Sequence, residues 1–465
     1  MLRVVNMIPR ALSDESEQDS EPSIAVNPQD PRQIVGTAFT PDPLGGPRAP
    51  VYVSLDGGLS WSLHSIVPGG PVTHDISVAF ANRGGALYAG TLNGSNDHLN
   101  ILRASSAVSA SVMKLLVDRK KEDQPWVTAA TTGGGAGSDR VYVGHSDLSG
   151  SSRTASVELS QSARSAAAPA GFGTHVVEQR PTLGQDGPPV RTAVHSDGTV
   201  YAAFQRWVSE VSSSSTFLDL RADIVVLRDD AWAAGAHPFS ALTDPGDGTA
   251  GMRVARNRFI RFTGSVGPLG QERIGSDLAL AVDPADSANV WVAWCDRVGG
   301  PTGTDWTLHV RRSTDRGHTW STKDVKTIKN AKNPALAVNA HGLLGFMYQR
   351  LVLPPPGSRW VTSLELTANS WATPAEAHVL HSALATAPPR RFLPYLGDYI
   401  RLLAVGDDHY GVFSGANRPD HANFPSGVTY QRNANWTTQT LLGTDGTSGV
   451  VESIDPFFVH HTPGP

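Results

Sequence analysis

The sequence contains one cysteine, Cys295, so no disulfide can form within the chain and packing and hydrogen bonds must hold the fold. Cys295 sits in the strand-like run NVWVAWCDR, where a buried core thiol is the expected role. Charge is also scarce. Only 17% of residues are Asp, Glu, Lys or Arg, and the net charge is −5. No basic stripe stands out, which argues against nucleic acid as the main ligand. No run approaches the roughly 18 apolar residues of a membrane-spanning helix. The opening MLRVVNMIPRALSDESEQDS lacks the continuous apolar stretch of a signal peptide. The expectation is a soluble protein with no membrane partner, cytoplasmic or released by a non-classical route. A Gly-rich phosphate loop, zinc-ligand spacing and a nucleophile elbow are all missing, and VHHT near the C-terminus has no supporting ligands.

What the chain does have is turn chemistry. Its 46 glycines and 33 prolines are spread between short apolar runs, as many short strands with tight turns require. Aligned against itself, the chain repeats a two-strand unit seven times, beginning at Glu21, His74, Asp123, Pro188, Ser276, Asn333 and Gly397. EPSIAVNPQDPRQIVGTAF is the first copy and SDLALAVDPADSANVWVAWCDR the fifth. Third and fourth strands follow, clearly in APVYVSLDGGLSWSLHSIV and TLHVRRSTDRGHTWSTKDV, and in worn form elsewhere, as in GVTYQRNANW of the last unit. Four antiparallel strands per repeat predict an all-β fold, a β-propeller of seven blades, with six as the alternative. Residues 1–465 then form one domain, with an insertion near 241–274. Either LRVVNM or SIDPFFVHH could supply the strand that closes the ring.

Ser-x-Asp-x-Gly-x-x-Trp occurs twice, as Ser54, Asp56, Gly58, Trp61 and as Ser313, Asp315, Gly317, Trp320. Between the third and fourth strands, the Asp carboxylate can accept turn N–H groups. Glycine can take positive φ there, and Trp can bury a large ring. A structural staple is therefore the expected role. The motif resembles the Asp-box, the bacterial neuraminidase repeat of sialidases and sialidase-like propellers. That resemblance implies a propeller whose Asp-boxes lie on the face away from its active site. It also implies an arginine cluster for a substrate carboxylate, a tyrosine nucleophile activated by a glutamate, and an aspartic general acid. The matching residue types are Arg297 and Arg350; Tyr395 or Tyr399 with Glu272 or Glu21; and Asp75 as acid. The stretch nearest the family's Arg-Ile-Pro signature is Met7–Arg10, Met-Ile-Pro-Arg, with its arginine after the proline.

On the face opposite the Asp-boxes, the first strands begin with Glu21, Asp75, Asp123, Asp186, Asp277 and Asp398, with Asn333 in the remaining unit. Such a ring could cap backbone N–H groups, run acid–base chemistry or hold calcium; no other cofactor is expected. FQRW, WCDR and YQR put Arg206, Arg297 and Arg350 at equivalent second-strand ends, with Arg191 and Arg401 in first strands. Converging guanidinium groups would bind an anionic ligand, and Trp126, Trp207, Tyr348, Tyr395 and Tyr399 offer surfaces for sugar rings. RFLPYLGDYIRLL, from Arg391 to Leu403, is the densest polar and aromatic stretch of this face. The leading function is a sialidase-like propeller that binds or hydrolyses an acidic glycan. A non-catalytic protein-interaction scaffold or lectin is the alternative, and a polysaccharide lyase using His74 or His145 is third.

Overall fold

The computed structural model describes residues 1–40, 42–70, 72–82, 85–94, 98–132, 138–149, 154–160, 171–184, 187–215, 217–263, 278–300, 305–352, 357–389 and 396–464. Among them are seven four-stranded antiparallel sheets and one small three-stranded sheet. The innermost strands are Ser20–Val26, Thr73–Phe80, Glu122–Thr132, Arg191–Val194, Leu278–Val282, Ala331–Val338 and Arg401–Val405. Each touches the next in chain order, and the last touches the first. This is a seven-bladed β-propeller around a central channel. Among the described residues, no helix is long and apolar enough to cross a membrane.

Blades 1 to 6 add their strands outward in chain order, while blade 7 is built from both chain ends. Its third strand, Ile454–His461, pairs with Asp408–Ala416 on one side and with the N-terminal strand Leu2–Asn6 on the other. Both candidate closing segments are thus used, and closure leaves no unpaired seam between first and last blades. GVTYQRNANW does not form the third and fourth strands of this blade. It lies in an excursion between the second and third strands that includes the three-stranded sheet Ala434–Asn435, Thr440–Leu442 and Gly449–Val450. The insertion expected at 241–274 also needs correction. Met252–Thr263 is the outer strand of blade 4, paired with Phe217–Asp229, and the excursion before it begins at 230.

Neighbouring blades meet through apolar faces, because each strand alternates its side chains between two adjacent sheets. Trp61 of blade 1, for example, packs edge-on against Phe458 of blade 7, with ring centroids 5.3 Å apart. The Ser-x-Asp-x-Gly hairpins hold these edges. Ser54 Oγ donates to Asp56 Oδ1 at 2.8 Å and accepts the Gly58 N–H at 2.8 Å, while Asp56 accepts the N–H groups of Leu59 and Ser60. The Ser313 hairpin repeats the pattern, with Gly317 N–H on Ser313 Oγ at 2.9 Å. Two worn copies keep the geometry with other residues. In blade 6, Thr367 Oγ1 accepts the Trp371 N–H at 2.9 Å, and Trp371 takes the glycine's place at φ 64°. In blade 4, Asp229 accepts the N–H groups of Ala231 and Ala233, with Ala233 at φ 52°.

Burial alone would raise the Asp56 carboxyl, but hydrogen bonds from Ser60 and Ser54 outweigh it and hold the group below the ordinary range. A lowered carboxyl stabilises the fold above the unfolded-state pKa and ceases to do so as pH falls through the folded value. The destabilisation caused by Asp56→Ala, about 1 kcal/mol, should therefore shrink in acid, which urea denaturation at pH 7 and pH 3 would show.

Two adjacent glycines separate backbone strain from packing. Both have positive φ, 76° at Gly57 and 84° at Gly58. A Cβ on Gly57 would meet nothing within 4 Å, whereas one on Gly58 would sit 2.1 Å from Phe458 Cε1. Gly57→Ala is expected to cost about 1 kcal/mol and Gly58→Ala about 2–4 kcal/mol, since overpacking adds to strain. Equal urea midpoints for the two variants would contradict this packing account.

Candidate functional site

The channel-facing edge of an innermost strand has no further strand to bond, so side chains must satisfy it. Ser23 Oγ of blade 1 accepts the Val78 N–H of blade 2 at 3.2 Å. Ser77 Oγ of blade 2 accepts the Val127 N–H at 3.0 Å and donates to Pro125 O at 2.9 Å in blade 3. Thr128 Oγ1 donates to Thr192 O at 3.3 Å, and Arg191 Nε donates to Leu278 O at 3.1 Å. These hydroxyls were not singled out from the sequence, because a serine in an apolar strand looks like any other.

The inner-strand starts lie at the end of the ring opposite the Ser-x-Asp-x-Gly hairpins, as alternating strand direction requires. Four of these starts carry β-bulges, where the register skips from Ser20 to Ser23, Thr73 to Ile76, Asp123 to Trp126 and Lys332 to Ala335. In blades 1, 3 and 6 the bulged residues are Glu21, Gln124 and Asn333, at φ 53°, 52° and 52°, each followed by proline, while in blade 2 the skipped pair is His74 and Asp75. Gln124, not Asp123, is thus the counterpart of Glu21, one residue from the sequence alignment. Glu21 uses Oε1 to accept the Asp398 N–H of blade 7 at 3.1 Å, which is the capping role. Asn333 Nδ2 donates to Gly397 O at 3.3 Å. Glu21, Asp75 and Asp398 are all buried. Among the described residues, no three of this ring's carboxylates come close enough together to hold one metal ion. Asp186 and Asp277 lie outside the described residues.

Inside the strand starts, the channel opens into a cavity of about 160 Å³ lined by Trp126, Arg191, Arg401 and apolar side chains of blades 5 to 7. The Trp126 indole organises it. The Arg191 guanidinium lies 3.6 Å and that of Arg401 4.6 Å from its ring centroid, and Tyr399 meets it edge-on at 5.6 Å. Trp126 and Arg401 keep part of their surface open, while Arg191 and Tyr399 are buried.

Arg401 donates to Ser23 Oγ at 2.9 Å and to Val127 O at 3.0 Å, both neutral acceptors. Among the described residues no carboxylate pairs with it. It sits deep among protein atoms although its surface reaches the channel, and that desolvation pushes it down to about 10. The neighbouring Tyr399 is pushed far above its usual value, by burial first and then by the charges of Asp75 and Glu21. Tyr399, Asp75, Glu21, Asp398 and Arg191 therefore form one electrostatic group beside the cavity.

The second-strand arginines behave differently. Arg206, Arg297 and Arg350 do occupy equivalent register positions, three residues past Ala203, Trp294 and Met347. None lines the cavity. Arg206 is spent on Pro181 O at 2.6 Å and Asp223 at 3.2 Å, Arg297 adds only a small pull on an Asp219 carboxyl lowered chiefly by hydrogen bonds from Arg261 and Ser212, and Arg350 is exposed on its own blade. The convergence expected of them is replaced by local pairing, because second strands stand one layer back from the channel. Trp207 and Tyr348 are core residues rather than sugar platforms. Trp207 packs with Leu220, Ala222 and Ile260, and the Tyr348 hydroxyl donates to Glu365 at 2.9 Å. His145 is buried within blade 3 against Glu122 at 2.6 Å, away from the cavity, and the His74 ring stands 6.1 Å from Phe39. Tyr395 and Glu272 lie outside the described residues.

A second polar centre, absent from the sequence reading, sits at the seam of blades 7 and 1. Asp455 accepts from Asn6 and Asn417, both at 2.6 Å, and from Arg432 at 2.8 Å. Glu15 and the fully buried Asp19 face the same centre. Burial and the charge of Asp455 push Glu15 to about 7, and burial with Glu15 and Asp455 raises Asp19 well above its usual value.

No protein-family model matches the chain, and no curated protein matches its sequence. Distant likeness to solved propellers is found. An α-L-arabinofuranosidase of Fusarium graminearum bound to an iminosugar inhibitor aligns at 10% identity over 81% of this chain and 97% of its own, with a TM-score of 0.40. The Aleuria aurantia lectin in complex with α-methyl-L-fucoside aligns at 11% identity, over 81% of this chain and 100% of its own, with a TM-score of 0.43. Drosophila Semaphorin 2a aligns at 8% identity, over 88% and 73%, with a TM-score of 0.45. The three differ in role, and at these values the likenesses say nothing of activity.

Proposed function

We propose that this protein is a sialidase-like Asp-box propeller that takes an acidic glycan at the channel mouth formed by the inner-strand starts. The observation that carries this reading is Arg401, a largely desolvated guanidinium whose hydrogen-bond partners are neutral and whose open surface borders a cavity. A buried charge without a counter-ion is costly, and a carboxylate or sulfate reaching that cavity would supply one through charge-assisted hydrogen bonds. Trp126 offers the adjoining aromatic surface for a sugar ring. For hydrolysis, Asp75 would protonate the departing oxygen. Tyr399, held neutral by burial and flanking carboxylates, would pass its proton to one of them as it attacks the anomeric carbon, and water would then cleave the glycosyl–tyrosine bond, with the proton returned to the hydroxyl. The lectin reading is favoured by the commitment of Glu21 to the Asp398 N–H, which takes one base out of play.

The test is incubation with a mixed library of sialylated, uronic-acid and sulfated glycans, read by mass spectrometry against a blank. Products that gain the mass of water identify a hydrolase, and products that do not identify a lyase. An unchanged library retained on immobilised protein identifies a lectin. An unchanged library with no retention would overturn the proposal.

A further inference from the structure

The seam between blades 7 and 1 carries oxygens that the protein leaves unbonded. Neither carboxylate oxygen of Asp19 has a hydrogen-bond partner, although the side chain is fully buried. The Thr40 hydroxyl lies close enough to help hold the Asp19 carboxyl down without making a well-formed bond to it, and the buried Tyr52 hydroxyl nearby also has no hydrogen-bond partner. Glu15 Oε2 is a further orphan. One oxygen from each of Glu15, Asp19 and Asp455 lies within 4.8 Å of the other two. That is the span across an ion holding oxygens at about 2.3–2.6 Å. With all three carboxyls ionised, Arg432 would leave the cluster two negatives, which one divalent ion would offset in place of the protons that burial otherwise favours on Glu15 and Asp19. All donors are oxygens, and none is a thiolate or imidazole, which selects a hard cation.

We infer that Glu15, Asp19 and Asp455, with the Thr40 hydroxyl, bind one calcium ion at the seam where the propeller closes. The ligands come from the N-terminal segment, blade 1 and blade 7, so the ion would tie the ring's two ends together. Asp19 already bonds blade 7 through its backbone: its N–H donates to Ile454 O at 2.9 Å and its carbonyl accepts Ser414 Oγ at 2.7 Å. The site is distinct from the channel cavity, and it stands whether or not a glycan binds there.

The test uses the full chain stripped with EDTA. Calcium is expected to bind at one ion per chain by calorimetry and to raise the melting temperature by several degrees, with magnesium much weaker. Terbium(III) in place of calcium should luminesce on tyrosine excitation, through Tyr52, and calcium should quench that emission by displacement. Asp19→Asn should fold and lose both responses. Absence of a calcium-dependent melting shift together with absence of displaceable terbium emission in the wild-type chain would overturn the inference. An undiminished calcium response in Asp19→Asn would overturn it too.

Discussion

Replacing Arg432 with methionine is expected to destabilise the protein by about 3–5 kcal/mol, the usual cost of leaving buried charge without its partner. Arg432 is fully buried and acts as the hub of the closure seam. It holds both oxygens of Asp455, at 2.8 and 3.1 Å, and donates to the carbonyls of Ser13 at 2.9 Å and Glu15 at 2.6 Å. Ser13 lies 419 residues away in sequence, so one side chain fastens the N-terminal segment to the last blade. Without it, Glu15, Asp19 and Asp455 would face one another with no balancing cation from the protein. Lysine should not rescue, because a single ammonium cannot reproduce the guanidinium fork. Urea denaturation followed by circular dichroism reads the effect, and a wild-type midpoint for Arg432→Met would contradict it.

The second large effect concerns binding. Arg401→Gln should weaken affinity for an acidic glycan by about 1.5–3 kcal/mol, roughly 10- to 150-fold in Kd. The same substitution should leave the fold intact, because it removes a desolvated charge whose acceptors, Ser23 Oγ and Val127 O, can still take bonds from an amide. Arg206→Gln should do the reverse. It breaks the bond to Asp223 and the contacts with Pro181 O, lowering stability, while leaving glycan affinity unchanged. Measured together, the pair distinguishes an anion anchor in the channel from a structural arginine one strand further out.

The blades were legible because alternating apolar runs and Gly- or Asn-rich turns follow from strand geometry alone. Ser54, Asp56, Gly58 and Trp61 could likewise be assigned to a hairpin from residue type, since each does a local job. What depended on register was less legible. The left-handed bulge before Pro22, Pro125 and Pro334 shifts the strand start by one residue, so Gln124 rather than Asp123 matches Glu21. Side-chain type could not tell Arg401, next to the channel, from Arg206, one strand out; only the layer in which each strand lies does that. Residue type leaves Trp207 and Tyr348 open to either a sugar platform or a core position, and strand alternation places both in the core between blades. The seam cluster was invisible for a different reason. Its members come from opposite ends of the chain, and only ring closure brings them together.

The most direct test of the channel site is calorimetric titration of the protein with an acidic oligosaccharide and its neutral counterpart, for wild type and Arg401→Gln in parallel. The account predicts that wild type prefers the acidic sugar by at least about tenfold and that Arg401→Gln abolishes the preference. Equal affinity for both sugars in wild type, or a preference that survives in Arg401→Gln, would contradict it.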